Sequence, residues 1–238
     1  MKQMLKAQGY SLQGERHGTN QDSYAVALED SGGLVIVADG MGGHRAGDTA
    51  SKMAIEMILD GCKGDGPDAI RRAIDAANHE IWRKGMSEDA YAGMGTTIVL
   101  CMIQNNKGYI AHVGDSRAYL LHNGELTRLT KDHSLVEELI RHGEITAEQA
   151  QSHPMKNIIT MALGVEDRIK PDFTEISLQA GDSLLLCSDG FSNVVPETVI
   201  KETLSAKTPE ESVQFLCEEA KRCGSTDDIT VIVLQKSE

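Results

Sequence analysis

Leu34-Val-Ile-Val-Ala-Asp-Gly-Met-Gly-Gly-His44 decides the reading of this chain. Five apolar residues end in Asp39-Gly40, and a glycine-rich stretch leads on to a helical pattern. A short run rich in Val and Ile, bounded by turn residues, reads as a buried strand. Three further segments repeat the arrangement. Ser183-Leu-Leu-Leu-Cys-Ser188 runs into Asp189-Gly190, Tyr109-Ile-Ala-His-Val-Gly114 runs into Asp115, and Asp227-Asp228 opens Ile229-Thr-Val-Ile-Val-Leu234. Taken singly, each Asp-Gly pair reads as a tight turn, because Gly tolerates positive φ and Asp bonds its own backbone. Taken together, carboxylates at four strand ends read as one shared site. A carboxylate at the end of a buried strand is half desolvated, and several gathered there repel one another strongly. A divalent cation removes that penalty. Oxygen-only donors with no Cys or His spacing favour Mg²⁺ or Mn²⁺ over Zn²⁺.

Outward from these runs, strand patterns fall at residues 6–11, 24–28 and 34–38, then at 96–103, 107–113 and 117–122, with Asn105-Asn106 and Asn123-Gly124 as hairpin signals. Strands resume at 172–177, 183–187 and 229–234. Between them, Ala50, Met53, Ala54, Met57 and Ile58 form the apolar stripe of a helix over 47–60, and Ile70, Ala73, Ile74, Ala77 and Ile81 that of a helix opened by Pro67. A short helix over 196–204 precedes a firmer one over 209–222. Thr208 and Glu211 form a capping box for the latter, Pro209 takes its first position and Gly224 ends it. Residues 134–164 break the pattern with two polar helical pieces, 135–142 and 146–152, and read as a small flap. Strands joined by hairpins, with helices arriving in pairs, do not alternate as βαβα. The fold class is therefore α+β, with two largely antiparallel sheets stacked face to face and each covered by helices on its outside.

The chain has 238 residues, 40% hydrophobic and 25% charged, which suits one large domain over 1–238 with the flap as an elaboration. A net charge of −13 repels a phosphate backbone, and 4% aromatics leave no platform for stacking bases, so nucleic acid is not a partner. The same field demands local cations for any phosphate chemistry. No apolar run approaches the roughly 18 residues of a membrane span, and the first residues do not read as a signal peptide. The five cysteines show no C-x-x-C. Cys101, Cys187 and Cys217 read as buried free thiols, which places the chain in the reducing cytoplasm.

The segment 37–44 is glycine-rich after a strand, yet it lacks both the Gly-Lys-Ser/Thr of a P-loop and the G-x-G-x-x-G spacing. Instead it joins a series. Asn20-Gln-Asp22, Val37-Ala-Asp-Gly-Met-Gly-Gly-His44, Gly93-Met-Gly-Thr-Thr97, Val113-Gly-Asp-Ser-Arg-Ala-Tyr119, Thr130-Lys-Asp-His-Ser134, Cys187-Ser-Asp-Gly190 and Gly224-Ser-Thr-Asp-Asp-Ile-Thr-Val231 occur in that order. In these residues, from about Gly9 to Leu234, the chain resembles the bacterial branch of the metal-dependent protein phosphatase 2C family of serine/threonine phosphatases. The resemblance implies a four-layer αββα sandwich with two Mn²⁺ or Mg²⁺ ions at one end. By that resemblance Asp39 bridges both ions, the Gly40 carbonyl serves one, and Asp189 and Asp227 serve the other. Asp22 orients water, and Asp115 with Asp189 holds a third, weaker ion. The implied reaction is direct attack of a water, activated between two cations, on phosphoserine or phosphothreonine proteins, in opposition to a Ser/Thr kinase. Asp228 stands where the family commonly has Asn and is not counted as a ligand.

Two departures matter. His17 occupies the register of the family's phosphate-holding Arg, with Arg16 one residue early and Gln21 in place of a Glu. Arg16 is favoured for the phosphate because its fork suits phosphoryl oxygens, the alternatives being His17 in a weaker version of that role or Arg16 as a solvated surface residue. Met41 follows Asp39-Gly40 where the eukaryotic branch has a His, with His44 nearby as a capping or packing residue. Apart from His133, the remaining histidines read as surface residues, and Cys187, with no phosphate loop after it, reads as packing. A catalytically weak phosphoprotein-binding module and a small-molecule phosphoesterase stand as alternative functions.

Overall fold

In the strand that carries Asp39, β3 (Gly32–Met41), alternate residues serve two different cores. Leu34, Ile36 and Ala38 face one way, against Ala50, Ile58, Ile70 and Ile74. Val35 and Val37 face the other way, against Leu184, Leu186, Ile232 and Leu234. A strand buried on both faces reads as an unbroken apolar run, which is why period-2 polarity is missing from 34–38. The computed structural model describes residues 4–16, 18–29, 32–42, 46–62 and 66–237.

Two antiparallel sheets result. The first runs β2 (Asp22–Glu29), β3, β5 (Ile98–Gln104), β6 (Lys107–Val113), β9 (Asp172–Ser177), with the two-residue β4 (Gly95–Thr96) paired to the end of β3. The second runs β1 (Leu5–Leu12), β11 (Ile229–Lys236), β10 (Ser183–Cys187), β7 (Arg117–His122), β8 (Glu125–Arg128). Helices α1 (Ala46–Gly61) and α2 (Pro67–Ser87) cover the first sheet, and their fully buried Ile58, Ile70, Ile74 and Ile81 each contribute about 1.5–3 kcal/mol. The short α5 (Asp189–Ser192), α6 (Glu197–Ala206) and α7 (Pro209–Arg222) cover the second, with Ile200, Leu204, Val213 and Leu216 on Tyr119, Leu185 and Val231. The order helices, sheet, sheet, helices is the expected four-layer sandwich.

Local signals stand where the sequence puts them. Thr208 Oγ1 accepts the Glu211 N–H while the Glu211 carboxylate accepts the Thr208 N–H, and Thr146 with Gln149 repeats the box at α4 (Ala147–Gln151). Asn105, Asn106 and Asn123 all adopt positive φ at their hairpins. The flap carries α3 (Leu135–Arg141) and α4, and its two ends are tied together by a Ser134–Ile159 bridge and by the Thr160 N–H on the His133 carbonyl at 2.8 Å. Besides the 3-10 turn Asp89–Tyr91, three elements escape the sequence reading. These are β8, whose four residues alternate without a hydrophobic run, the two-residue β4, and α5, which is a single turn. Among the described residues no helix is long and apolar enough to cross a membrane.

Candidate metal centre

Neither Asp-Gly pair is a tight turn. Asp39-Gly40 lies inside β3, and Asp189-Gly190 opens α5. Both glycines answer to a close approach of backbone instead. A Cβ on Gly40 would stand 2.1 Å from the Gly47 carbonyl oxygen and 2.7 Å from that of Gln21, and a Cβ on Gly190 would stand 2.0 Å from the Asp228 carbonyl oxygen. The first clash shows how tightly α1 sits on the end of β3. The second shows α5 pressed on the entry to β11, so each aspartate is delivered to the same end of the sandwich by a helix start locked against a strand end.

The ladder does the rest. Asp22 pairs directly with Asp39 across β2 and β3, the Asp39 carbonyl accepts the Thr97 N–H (2.8 Å) and Thr96 Oγ1 (2.9 Å), and the Asp39 N–H donates to Thr97 Oγ1 at 3.0 Å. Ser188 donates from its hydroxyl to Asp22 Oδ2 (2.7 Å), and the Asn193 amide donates to Asp189 Oδ2 (3.0 Å). Thr96, Thr97, Ser188 and Asn193 were not singled out from sequence. Thr96, Thr97 and Ser188 lie in the stretches 93–97 and 187–190 that carry the resemblance, and nothing in the sequence marks Asn193.

Electrostatics register the convergence of five carboxylates. Burial, then the charges of Asp22, Asp189, Asp115 and Asp227, hold the Asp39 carboxyl well above its ordinary range. Asp22 is pushed up to about 7, chiefly by burial and against hydrogen bonds from Thr230 and Ser188. Asp115 is pushed up to about 8 by burial and by Asp189. Asp189 is raised by burial and by Asp227. Repulsion of this size has one general remedy, a positive charge among the oxygens. Asp22 Oδ1 is buried with no hydrogen-bond partner among the described residues, so one acceptor already waits for it. Oxygen donors alone, partly desolvated, fit a hard divalent ion.

Arg16 lies at this centre. Its guanidinium pairs with Asp227 Oδ2, half exposed, and its charge also reaches Asp189. Half exposed and ion-paired, Arg16 has its fork spent on a carboxylate in this arrangement. Asp228 points elsewhere. Its two oxygens accept the N–H groups of Gly14 (2.8 Å) and Gln21 (2.7 Å), tying down the loop that carries Arg16. His17 and His44 lie outside the described residues. Burial pushes the Cys187 thiol up to about 12, which suits packing and not nucleophilic attack. All five cysteines are free, three of them buried. One expectation fails: His112 is not a surface residue but 1% exposed.

Beside the centre, between α5 and the flap, opens a cavity of about 720 Å³ whose lining includes Asp115, Arg117, Asp132, Lys156 and Asn193. The Arg117 and Arg128 forks both hold Asp132, which builds a rigid floor.

Comparison with known proteins agrees with this geometry. The profile of the family described as Protein phosphatase 2C matches residues 14–230. The chain is 43% identical over 230 residues to the serine/threonine phosphatase stp of Listeria monocytogenes, covering 93% of this chain and 91% of that one. It superposes on the crystal structure of the Mycobacterium tuberculosis serine/threonine phosphatase PstP/Ppp with a TM-score of 0.90 at 37% identity, covering 98% of this chain and 99% of the other. A catalytic domain of the serine threonine protein phosphatase PstP, solved in complex with two manganese ions, matches at a TM-score of 0.88 and 35% identity over 98% of this chain and 99% of its own.

Proposed function

The chain belongs to the protein phosphatase 2C family, and from that premise we propose that it hydrolyses phosphoserine and phosphothreonine in proteins with Mn²⁺ or Mg²⁺ held at the Asp39 end of the sandwich. The observation that carries the proposal is the convergence of Asp22 and Asp39, paired across β2 and β3, with Asp189 at the start of α5 beside Asp227, buried together with only oxygen donors among them, which raises the carboxyls of Asp22, Asp39, Asp115 and Asp189. Asp39, the Gly40 carbonyl, Asp189 and Asp227 would hold the two core ions, and Asp115 a third beside Asp189. Bound there, divalent cations acidify water and neutralise phosphoryl oxygens.

The chain's own groups supply the rest. Asp22, held by Ser188 and with Oδ1 free, orients water at the centre. Arg16, next to Asp227, is placed to turn its fork to the substrate phosphate once cations rather than guanidinium neutralise that carboxylate. Residues 1–238 act as one catalytic domain, and the cavity under the 134–164 flap takes the peptide around the phosphorylated residue. The opposing enzyme is a Ser/Thr kinase of the same cell, and the free thiols suit the reducing cytoplasm.

The test is turnover of a phosphothreonine peptide in Mn²⁺ and in EDTA. Hydrolysis in Mn²⁺ and none in EDTA is expected. Manganese binding without turnover in folded protein would overturn the reading in favour of a phosphoprotein-binding module, and turnover of small phosphoesters alone would favour a small-molecule phosphoesterase.

A further inference from the structure

Two residues past Asp39, β3 ends at Met41, and Met41 lines an apolar pocket of about 440 Å³ that the acidic centre does not use. Residues two apart on a strand share a face, with Cα atoms about 7 Å apart, so the pocket begins one strand step from the candidate metal ligand. Met161 and Ile169 line it from the core side, where both pack on the cluster beneath α1 and α2. Val165 completes the apolar lining and is 52% exposed. A Cβ on Gly95 would stand 3.0 Å from Val165 Cγ2 and 3.4 Å from Met41 Cγ, so these two side chains meet over the bare backbone of β4. Met155 and Ile158, just before the lining stretch, are exposed as well, and large apolar side chains left in water close together mark a contact surface.

The wall that carries Val165 is fixed before anything binds. Asn78 of α2 is 1% exposed and spends its whole amide there. Its Nδ2 donates to the Glu166 and Asp167 carbonyls, each at 3.0 Å, and its Oδ1 accepts the Gly164 N–H at 2.8 Å. Leu163 then exchanges backbone bonds with Thr96, at 3.0 and 2.8 Å, and Thr96 Oγ1 donates to the Asp39 carbonyl. One chain of bonds therefore holds the pocket in register with Asp39, and a wall held this way costs little to order on binding. Charge separates this rim from the rest of the molecule: Arg168 and Lys170 stand against Glu166, a positive balance on a chain of net charge −13. Resting on the phosphatase reading above, we propose that the pocket receives one large apolar side chain of the phosphoprotein, two to four residues from the phosphorylated one, with an acidic neighbour facing Arg168 and Lys170. Continuity with Asp39 is what favours the substrate as occupant. An extended peptide rises about 3.3 Å per residue, so two to four residues cover the step from Asp39 to Met41 and the depth of the lining behind it.

The experiment assays the full chain in Mn²⁺ on phosphothreonine peptides that move a single leucine from four residues before to four residues after the phosphothreonine, in a serine background. Each rate is read against turnover of an aryl phosphate, too small to reach from the centre into the pocket, by the same protein. Leucine at a favoured position two to four residues away should lower KM about tenfold relative to alanine there, with kcat unchanged, as expected for binding that is the same in ground and transition states. An aspartate beside that leucine should lower KM by about a further threefold at low salt, a gain lost in Arg168→Gln. Val165→Asn, at an exposed position, should erase most of the leucine preference. Peptide turnover with no apolar preference, a preference that survives Val165→Asn, or a dimer that Val165→Asn breaks, which would give the pocket to a second copy of this chain, would each overturn the subsite alone. No turnover of any peptide in Mn²⁺ would overturn the phosphatase reading and the subsite with it.

Discussion

Removing the charge of Asp22 should make the metal-free protein more stable at pH 8, although the change falls in the middle of the candidate centre. Asp22 is 7% exposed, and burial is the main reason its carboxyl rises from 3.8 to about 7. An acid whose pKa is raised on folding binds its proton more tightly in the native state. Its effect is absent below the unfolded value, becomes increasingly destabilising as the pH climbs toward the folded value, and stays at its worst above that. A rise of this size corresponds to about 4 kcal/mol at full development. Asp22→Asn removes that cost and keeps an acceptor for the Ser188 hydroxyl, but it sets an amide where Oδ1 has no partner, a loss of about 1–3 kcal/mol. The net in EDTA at pH 8 is about 1–3 kcal/mol in favour of the variant, and a chain of this length gains about 2–4 °C in Tm per kcal/mol. At pH 4 the charge saving has vanished and only the amide cost is left, so the variant should melt below the parent. Comparing the two proteins cancels titrations remote from Asp22, that of His112 included, while the Asp39 carboxyl, which the Asp22 charge raises, is relieved in the variant and adds to its advantage at pH 8. Saturating Mn²⁺ should restore the parent's advantage at pH 8, because only the parent keeps the full oxygen set. Scanning calorimetry across pH 4–8 reads the crossing. A variant less stable than its parent at every pH in EDTA, or a difference that ignores pH, would refute the account of the centre as stored repulsion.

Asp39→Asn should cut turnover by about a thousandfold, the several kcal/mol a cation's charge supplies, with the circular dichroism of the parent; a steady-state rate near the parent's would remove Asp39 from the site. Gly190→Ala drives a Cβ to within 2.0 Å of the Asp228 carbonyl oxygen and should cost about 3 kcal/mol, seen as a lower urea midpoint at unchanged slope. Arg117→Ala strands Asp132, 9% exposed, with Arg128 as its remaining partner; a loss of about 3 kcal/mol is expected, and an unchanged Tm would show the floor of the flap cavity to be dispensable.

Periodicity carried most of the fold. The 3.6-residue stripes of α1 and α2, the capping box of α7 and the asparagine hairpins are local signals with local causes, and each stands where it was read. What escaped has a common origin in contacts between segments remote in sequence. Taken singly, the Asp-Gly pairs read as turns because Gly is the usual turn residue. Their glycines are needed instead because Gly47 and Asp228, far along the chain or in another element, press backbone against backbone. His112 looked like one more surface histidine, since nothing in Tyr109–Val113 says that Gly114, His133 and Asp172 will close around it. The carboxylates were legible because desolvated charge at strand ends is unusual in any sequence. Their supports were not, because Thr96, Thr97 and Ser188 are ordinary residues until the ladder brings them within about 3 Å of Asp39 and Asp22.

Asp228 shows how one departure from the family pattern can be understood in these terms. An asparagine at this position has a single acceptor oxygen, and its amide cannot receive an N–H. The aspartate receives two, from Gly14 and Gln21, at 2.8 and 2.7 Å, and it does so 4% exposed. Charge-assisted bonds of this kind are roughly twice as strong as neutral ones. The loop that brings Arg16 to Asp227 is therefore anchored by the residue next to Asp227 itself, so the anchor of that loop and the carboxylate Arg16 pairs with are separated by one peptide bond. The same charge adds to the repulsion on Asp22. The extra carboxylate thus ties the loop more firmly and raises the demand for cations in a single substitution, which links the altered register around Arg16 to the acidity of the centre it serves.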